Sequence, residues 1–469
     1  MGSPLQLIQI TKYQRETTQF LLNLDKIPLK KLGLLMLRFT PSLAGDMHIG
    51  NLRVALLNYI VAKQLQEELI IRIEDIKPTP ETEGKDTSVI ALLDLFQIKY
   101  KEVLYQSKSI RFHQTMAFDL LNRKKAFNCF CTDESLKKKK EAAHAANQPY
   151  FYDGTCEELP AEVVIDNLNP FRVRMKKPTS PICFEDKIKG KLEYTPEEVD
   201  SFVILDVDKL PTYNFACAVD DMLQDISFVV RNEDHLDDTP KQIHVREALG
   251  YTKEIVYAHL PLILNSDGKK MTQDDKYASV TALLEEGFLP EAISNYLILI
   301  GYKDAPCEVF TVEEALEWFD ITHLAKTPSK FDIERLRRIN KAHLKRLDDK
   351  ELSRYVGFAD AEIGKLAKLY LEEASTTKEL KAKVAPLFEK KEIPESLQED
   401  AQKLCRVIQE APYFDEYEAF KTYIIETSGL DEKRFIKPLR YLLTGSQQGP
   451  EVKDIYNAIK NYIKKVVQC

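Results

Sequence analysis

Long apolar runs are missing from this chain, and that absence removes the first class of functions. No stretch reaches the ~18 to 20 consecutive apolar residues a helix needs to span a bilayer. The opening segment also lacks a basic region followed by a continuous apolar run and a small-residue cleavage site, so the expectation is a cytoplasmic chain with no membrane partner. Cysteine is sparse as well: eight are scattered over 469 residues, which excludes a small disulfide-dense scaffold and leaves reduced thiols or a metal site. Basic excess is lacking too. With 66 Lys and Arg against 74 Asp and Glu the net charge is -8, so any nucleic-acid contact must come from local clusters, at residues 123–125, 172–177 and 335–346.

What is present suits a folded multi-domain protein. Hydrophobic residues make up 44% and charged residues 30%, the ordinary balance of globular chains. The length allows roughly two to four domains, each with its own core. Residues 34–39 (Leu-Leu-Met-Leu-Arg-Phe) form an apolar run that predicts a buried strand. Residues 50–67 place Leu52, Ala55, Leu56, Tyr59 and Ile60 at helical spacing, and residues 69–73 (Leu-Ile-Ile-Arg-Ile) predict a second buried strand. Strand, helix and strand within about 40 residues describe a right-handed βαβ unit, whose ligands gather beyond the carboxyl ends of the strands. Arg38, Ser42, His48 and Glu74 would then surround one crevice. From about residue 282 the apolar spacing is persistently helical, including residues 366–373 and 452–467.

The stretch Arg38-Phe-Thr-Pro-Ser-Leu-Ala-Gly-Asp-Met-His-Ile-Gly-Asn51 runs from a strand exit into a helix start. Its His48-Ile-Gly50 core sets an imidazole and an unhindered backbone where phosphate oxygens are favoured. Further blocks follow in order: Arg72-Ile-Glu-Asp75, Pro211-Thr-Tyr-Asn-Phe-Ala216, Val230-Arg-Asn-Glu-Asp-His235 with Thr239-Pro-Lys-Gln242, and Ala258-His-Leu-Pro-Leu262. Together they resemble the class I aminoacyl-tRNA synthetases in their bacterial glutamyl form, over residues 35–469. Lys330-Phe-Asp332 and the late block beginning Pro438-Leu-Arg-Tyr extend the likeness.

That resemblance implies an α/β fold: a Rossmann-type parallel-sheet catalytic domain with an inserted α+β acceptor-binding subdomain, followed by an all-α anticodon-binding region. The corresponding boundaries are an N-terminal extension of unassigned role (1–34), the catalytic domain (35–128 and 192–264), the insertion (129–191), a lysine loop and stem-contact region (265–345), and the helical region (346–469). It implies ATP-dependent attachment of glutamate to tRNA(Glu) through a glutamyl-adenylate, with ATP and Mg2+, tRNA(Gln) as an alternative acceptor, and a monomer. A substrate with two carboxylates and one ammonium calls for two guanidinium groups and one acid. Arg38, Arg231 and Glu74 supply them, and Ser42 and Tyr213 match the family's amino-acid pocket. ATP would be handled by His48, Gly50 and Asn51 on one side and by Lys270, Met271 and Gln273 on the other, with His48, Gly50 and Lys270 catalytic.

The sequence departs from the family at that second element. Where the family carries Lys-Leu/Met-Ser-Lys-Arg, this chain reads Lys270-Met-Thr-Gln-Asp274, so Gln273 and Asp274 replace two cations. Losing charge stabilisation at a triphosphate would cost a few kcal/mol of transition-state binding, on the order of one lost donor. The alternative reading is a catalytically weakened or inactive tRNA-binding paralogue. Smaller departures are Leu43-Ala44 for Pro-Thr, Ile76-Lys77 for Thr-Asp, Asn232 for Gly, and Asp206 for Arg. In the insertion, Cys129, Cys131 and Cys156 offer three thiolates where a structural zinc needs four ligands. Some relatives hold zinc by three cysteines and a tyrosine four residues before the last. On that pattern Tyr152 is the fourth ligand, and three buried or free cysteines are the alternative.

Overall fold

Leu37, Arg38 and Phe39 are consecutive and all buried, so strand β1 (Met36–Phe39) does not alternate between core and solvent. A strand covered on both faces behaves this way, as expected of a parallel sheet with helices on each side. The computed structural model describes residues 35–43, 45–77 and 84–468, and the expected extension over 1–34 lies outside them. The chain divides into two compact units. One runs to Leu264 and includes Gly301–Asp304 and Leu316–Ser329; the other comprises Asn265–Ile300, Ala305–Ala315 and Lys330–Cys469.

In the first unit, β1 leads into helix α1 (Ile49–Leu65) and returns as β2 (Glu68–Ile73), parallel to β1 in the register Leu37 to Leu69 and Phe39 to Ile71. The expected βαβ unit is therefore present. Helix α1 is buried along its whole circumference from Ile49 to Ala62 rather than on one stripe, because it packs on β1, β2 and a later strand. Helix α2 (Lys85–Leu95), strand β3 (Val103–Tyr105) and helix α3 (Ile110–Asn122) follow. Strand β4 (Ala126–Cys129), helix α4 (Asp133–Ala145), strand β5 (Arg172–Met175), the hairpin β6 (Ile182–Asp186) and β7 (Gly190–Tyr194), and strand β8 (Val203–Leu205) come next. Helix α5 (Tyr213–Leu223), strand β9 (Ile226–Asn232), helix α6 (Thr239–Ala248) and strand β10 (Val256–Leu260) complete the main sheet.

The seven strands of that sheet lie in the order β3-β2-β1-β9-β10-β6-β7, all neighbours parallel except the β6–β7 hairpin. From β1 the chain winds outward through β2 to β3, then returns to the other side of β1 to lay down β9 and β10. This reversal between β1 and β9 opens a crevice at the carboxyl ends of the strands. Its core includes Ile70, Ile226, Val229 and Tyr257, and burying each such side chain contributes roughly 1.5–3 kcal/mol.

Strands β4, β5 and β8 form a separate three-stranded antiparallel sheet, the α+β character expected of the insertion. The expected boundary over 129–191 differs from what the pairing shows. β6 falls inside it yet joins the main sheet through β10, while β4 and β8 lie largely outside it yet build the small sheet. Chain alternation cannot reveal which sheet a strand enters. The small sheet also shares a core with α3, α5 and α6 through Met116, Leu120, Phe215, Val219 and Val245.

From Val280 onward the described elements are helices apart from the two-residue strand Ser329–Lys330, as the periodicity predicts. Gly364, in the second unit, is irreplaceable: a Cβ would stand 1.6 Å from the Asp349 carbonyl oxygen. The basic helix α7 (Ile333–Arg346) spends much of its charge inside the unit. Arg335 pairs with Glu308, Arg337 with Glu379, and Lys341 and Lys345 both with Glu372.

Candidate active site

Helix α1 starts at the mouth of the crevice with His48 as its N-cap, in extended backbone. The ring Nδ1 accepts the Gly50 N–H at 2.9 Å, so in the neutral imidazole the proton sits on Nε2. Gly50 has to be small because a Cβ would meet His48 Nδ1 at 3.0 Å, and it would come within 3.9 Å of Asn232 Nδ2 at the end of β9. Asn51 lies in the first helical turn, which carries no acidic side chain, so the positive end of the helix dipole is not neutralised. Two buried polar residues lock the helix to the sheet: Arg53 donates to the Pro261 carbonyl at 3.1 Å and Asn58 to the Val230 carbonyl at 3.0 Å.

The two arginines expected in the pocket are both buried, but they are held differently. Arg38, at the end of β1, donates from Nε to Asp221 at 3.3 Å, and the same carboxylate oxygen takes Arg72 Nη1 at 2.7 Å. Burial alone would raise Asp221; the guanidiniums of Arg38, Arg72 and Arg246 outweigh it and hold the carboxyl well below the usual range. Arg231, in β9, meets no carboxylate within ion-pair distance among the described residues. Each of its three nitrogens donates to a neutral group: Nε to His259 Nε2 at 3.1 Å, Nη1 to Gln242 Oε1 at 3.0 Å and Nη2 to Thr239 Oγ1 at 2.7 Å.

Glu74 follows β2 and accepts from the buried Cys217 thiol at 3.3 Å. Tyr213 begins α5, with its hydroxyl 3.2 Å from His235 Nδ1. The residue is 38% exposed, yet desolvation by its surroundings pushes the phenol well up, reinforced by Cys217 and Glu74 and opposed by Arg231 and Arg38. Helix α5 links these residues: it carries Tyr213 itself, Cys217 on it meets Glu74, Asp221 meets Arg38, and Asn214 reaches Arg231 through Gln242. Ser42 is exposed in the loop after β1.

Lys270, Met271 and Gln273 belong to the second unit. Met271 is buried while Lys270 and Gln273 are exposed. The loop is organised by Asp275, whose carboxylate accepts from Asn265 Nδ2 at 3.0 Å and from the Thr272 N–H at 2.7 Å. Two of the smaller departures meet in one contact: Lys77 Nζ lies 3.4 Å from Asp206 and 3.1 Å from Asp208. The usual Asp and Arg of the family are here exchanged in sign, so attraction is kept.

The cysteine cluster lies in the same unit as the crevice. The three sulfurs of Cys129, Cys131 and Cys156 fall within 4.8 Å of one another. Cys131 Sγ is 3.7 Å from Cys156 Sγ, and the Tyr152 hydroxyl is 3.4 Å from Cys129 Sγ and 3.6 Å from Cys131 Sγ. Arg174 donates to Cys129 Sγ at 3.3 Å and lies over the Tyr152 ring at 4.1 Å. Asp200 accepts the Tyr152 N–H at 3.0 Å from a backbone with φ 61 and ψ 179, a conformation costly for any residue with a Cβ.

Sequence reasoning left out Asp221, His259 and Asp186. His259 stood inside the matched Ala258-His-Leu-Pro-Leu262 block, which was the signal available. Asp186 had none, because its partner is 73 residues away.

A mostly parallel sheet whose strand order reverses beside β1, with a helix starting at the carboxyl end of that strand, defines a doubly wound α/β protein of the kind that binds its ligands at this crevice. The chain belongs to the tRNA synthetases class I (E and Q): residues 35–338 match the catalytic-domain model of that description, and residues 312–461 match an anticodon binding domain. Within that family, it is 58% identical over 433 residues to glutamate--tRNA ligase 2 of Sulfurimonas denitrificans, covering 92% of this chain and all of that one. It is 53% identical, with the same coverage, to glutamate--tRNA ligase 1 of Nitratiruptor sp.. A solved glutamate tRNA ligase from Elizabethkingia meningosepticum, in complex with its amino acid, has the same fold. It is 24% identical with a TM-score of 0.79, over 93% of this chain and 98% of that one.

Proposed function

We propose that this protein attaches glutamate to tRNA(Glu) in two steps. A glutamate carboxylate oxygen attacks the α-phosphorus of ATP, which enters as its magnesium complex; pyrophosphate leaves and the mixed anhydride forms. A terminal ribose hydroxyl of tRNA then attacks the acyl carbon, AMP leaves, and the ester remains on the tRNA. Both steps need positioning and stabilisation of developing negative charge more than covalent participation by the protein.

The observation that carries this reading is Arg231. A buried guanidinium with three neutral hydrogen-bond partners, and no carboxylate within ion-pair distance among the described residues, is suited to receive a substrate carboxylate. Arg38 supplies the second cation, Glu74 takes the ammonium, and Tyr213 and Ser42 border the substrate. His48, with its Nε2 proton, stands at the positive start of α1, where phosphate oxygens are favoured, and Gly50 and Asn51 line that approach, Gly50 leaving room beside the ring. Lys270 and Met271 keep their family roles on the loop, with Gln273 as a polar contact of reduced strength. The relatives carry ligase names, and nothing among them supports the inactive paralogue.

The cysteine cluster fits a structural zinc. Tetrahedral Zn–S and Zn–O bonds imply sulfur–sulfur spacings of about 3.8 Å and sulfur–oxygen spacings of about 3.5 Å. The 3.7 Å Cys131–Cys156 distance and the 3.4 and 3.6 Å distances to Tyr152 match them. Cys129, Cys131, Cys156 and Tyr152 would hold the ion, which would brace the insertion and take no part in the chemistry. The catalytic domain, insertion and helical region keep the functions that the resemblance implies: activation, acceptor-end binding and anticodon binding. The protein acts as a monomer in the cytoplasm, with tRNA(Gln) as the competing acceptor. No described helix is long and apolar enough to cross a membrane.

Glutamate-dependent exchange between ATP and pyrophosphate, with tRNA present, tests the reading. Wild type should exchange, and Gln273→Lys with Asp274→Arg should exchange faster. Wild-type inertness cured by the double replacement would favour the weakened reading, and absence of tRNA binding would sink both.

A further inference from the structure

Arg231, His259 and Asp186 lie on three adjacent strands, β9, β10 and β6, at their carboxyl ends. Arg231 and His259 are register partners, and Asp186 is the register partner of Tyr257, two residues before His259. Asp186 Oδ2 lies 2.6 Å from His259 Nδ1 and also accepts the His259 N–H at 3.0 Å. Its other oxygen accepts the N–H groups of Ile188 at 2.9 Å and Lys189 at 2.8 Å, so the carboxylate is fixed from four directions. The opposite ring nitrogen, Nε2, faces Arg231 Nε at 3.1 Å. All three side chains are buried, Asp186 and His259 almost completely.

Hydrogen-bond polarity allows one arrangement. Arg231 Nε–H can only donate, so His259 Nε2 must be an acceptor and the ring proton must sit on Nδ1, where Asp186 receives it. The Thr239 hydroxyl, 3.0 Å from His259 Nε2, accepts from Arg231 Nη2 and completes the cradle. Burial, with the Arg231 charge, pushes the imidazole down to about 4 against the pull of Asp186, so the ring between the two charges is neutral.

We propose that Asp186 and His259 are positioning residues that orient the Arg231 guanidinium while keeping the balancing acid one imidazole away from it. This rests on the reading that Arg231 receives a glutamate carboxylate. An aspartate bonded directly to Arg231 would fix it equally well but would occupy the charge the substrate needs; Asp221, a single carboxylate between Arg38 and Arg72, cancels one of their two charges and leaves the other. The neutral ring transmits orientation without neutralising, the way outer partners orient the ligands of metal sites.

The test uses full-length protein and steady-state exchange kinetics with glutamate and ATP varied separately. Arg231→Gln should raise the glutamate KM at least about 100-fold, the order of two lost charge-assisted bonds. His259→Leu and Asp186→Asn should each raise it about 10- to 100-fold, the range for losing an outer partner. The ATP KM should stay within about threefold, since neither residue touches the nucleotide side. His259→Gln, which restores a donor and an acceptor, should recover most of the loss. If Arg231→Gln leaves the glutamate KM unchanged, the pocket assignment itself fails. If Arg231→Gln raises it while folded His259→Leu and Asp186→Asn do not, the positioning role is overturned. Should the variants not fold, 15N shifts of the wild-type histidine rings decide. A neutral His259 protonated on Nδ1 supports the proposal, and a proton on Nε2 overturns it.

Discussion

Replacing Asp221 by asparagine keeps its shape and removes one charge from the middle of the first unit. The carboxylate is fully buried between Arg72, also fully buried, and Arg38, whose side chain is 3% exposed, at 2.7 and 3.3 Å. Each attraction is worth roughly 4 kcal/mol at an effective dielectric constant near 20, offset by the desolvation of three ions. Removing one partner of such a buried cluster leaves guanidiniums uncompensated and costs about 3–5 kcal/mol. Because the two units need not unfold together, local opening is the quantity to follow. Amide exchange in β1, β2 and α5 should accelerate roughly 100- to 5,000-fold, since each 1.36 kcal/mol is a factor of ten. Helices of the second unit serve as an internal reference. Acceleration below about fivefold, equivalent to less than ~1 kcal/mol, would refute the idea that Asp221 balances this pair.

His259 and His343 are both pushed down to about 4, burial being the leading cause for each. Their pKa is about 6.5 in the unfolded chain, so the unfolded state binds more protons between these values and stability falls as pH drops from 6.5 to 4. Each contributes up to about 3 kcal/mol to that loss, and urea titrations at stepped pH should show it, with little change above pH 7. Gly364→Ala drives a methyl into the Asp349 backbone and should destabilise the second unit by about 3 kcal/mol or more, seen as earlier melting of the helical part with the first unit unaffected. Purified protein should carry close to one zinc equivalent. Chelation or Cys156→Ser should release it and increase proteolysis around residues 129–156, and metal content below about 0.1 equivalent would reject the four-ligand site.

The parallel sheet was legible because its strands are continuous apolar runs and its first helix has helical spacing; β1, α1 and β2 all stand within two residues of expectation. The proposed pocket residues stand in motif blocks that the fold sets at strand ends, at a helix start and in the loop after β1. Long-range polar partners were not legible. Asp221 and Asp186 reach their arginine and histidine only through folding, and no local pattern marks a carboxylate that will be buried beside a guanidinium. The ownership of β6 was hidden for the same reason, since strand pairing is a non-local property. Basic clusters gave the weakest signal: the charges on α7 are largely answered by Glu308, Glu372 and Glu379, which lie elsewhere in the sequence.

The most direct test of the account is aminoacylation itself. Purified full-length protein, ATP, magnesium, tRNA and radiolabelled glutamate should yield acid-precipitable glutamate on tRNA(Glu). Labelled glutamine should give none, and Arg231→Gln should lower the rate at sub-saturating glutamate by about 100-fold. A wild-type protein that binds tRNA and glutamate but forms no ester, or an Arg231→Gln variant that charges tRNA as well as wild type, would contradict it.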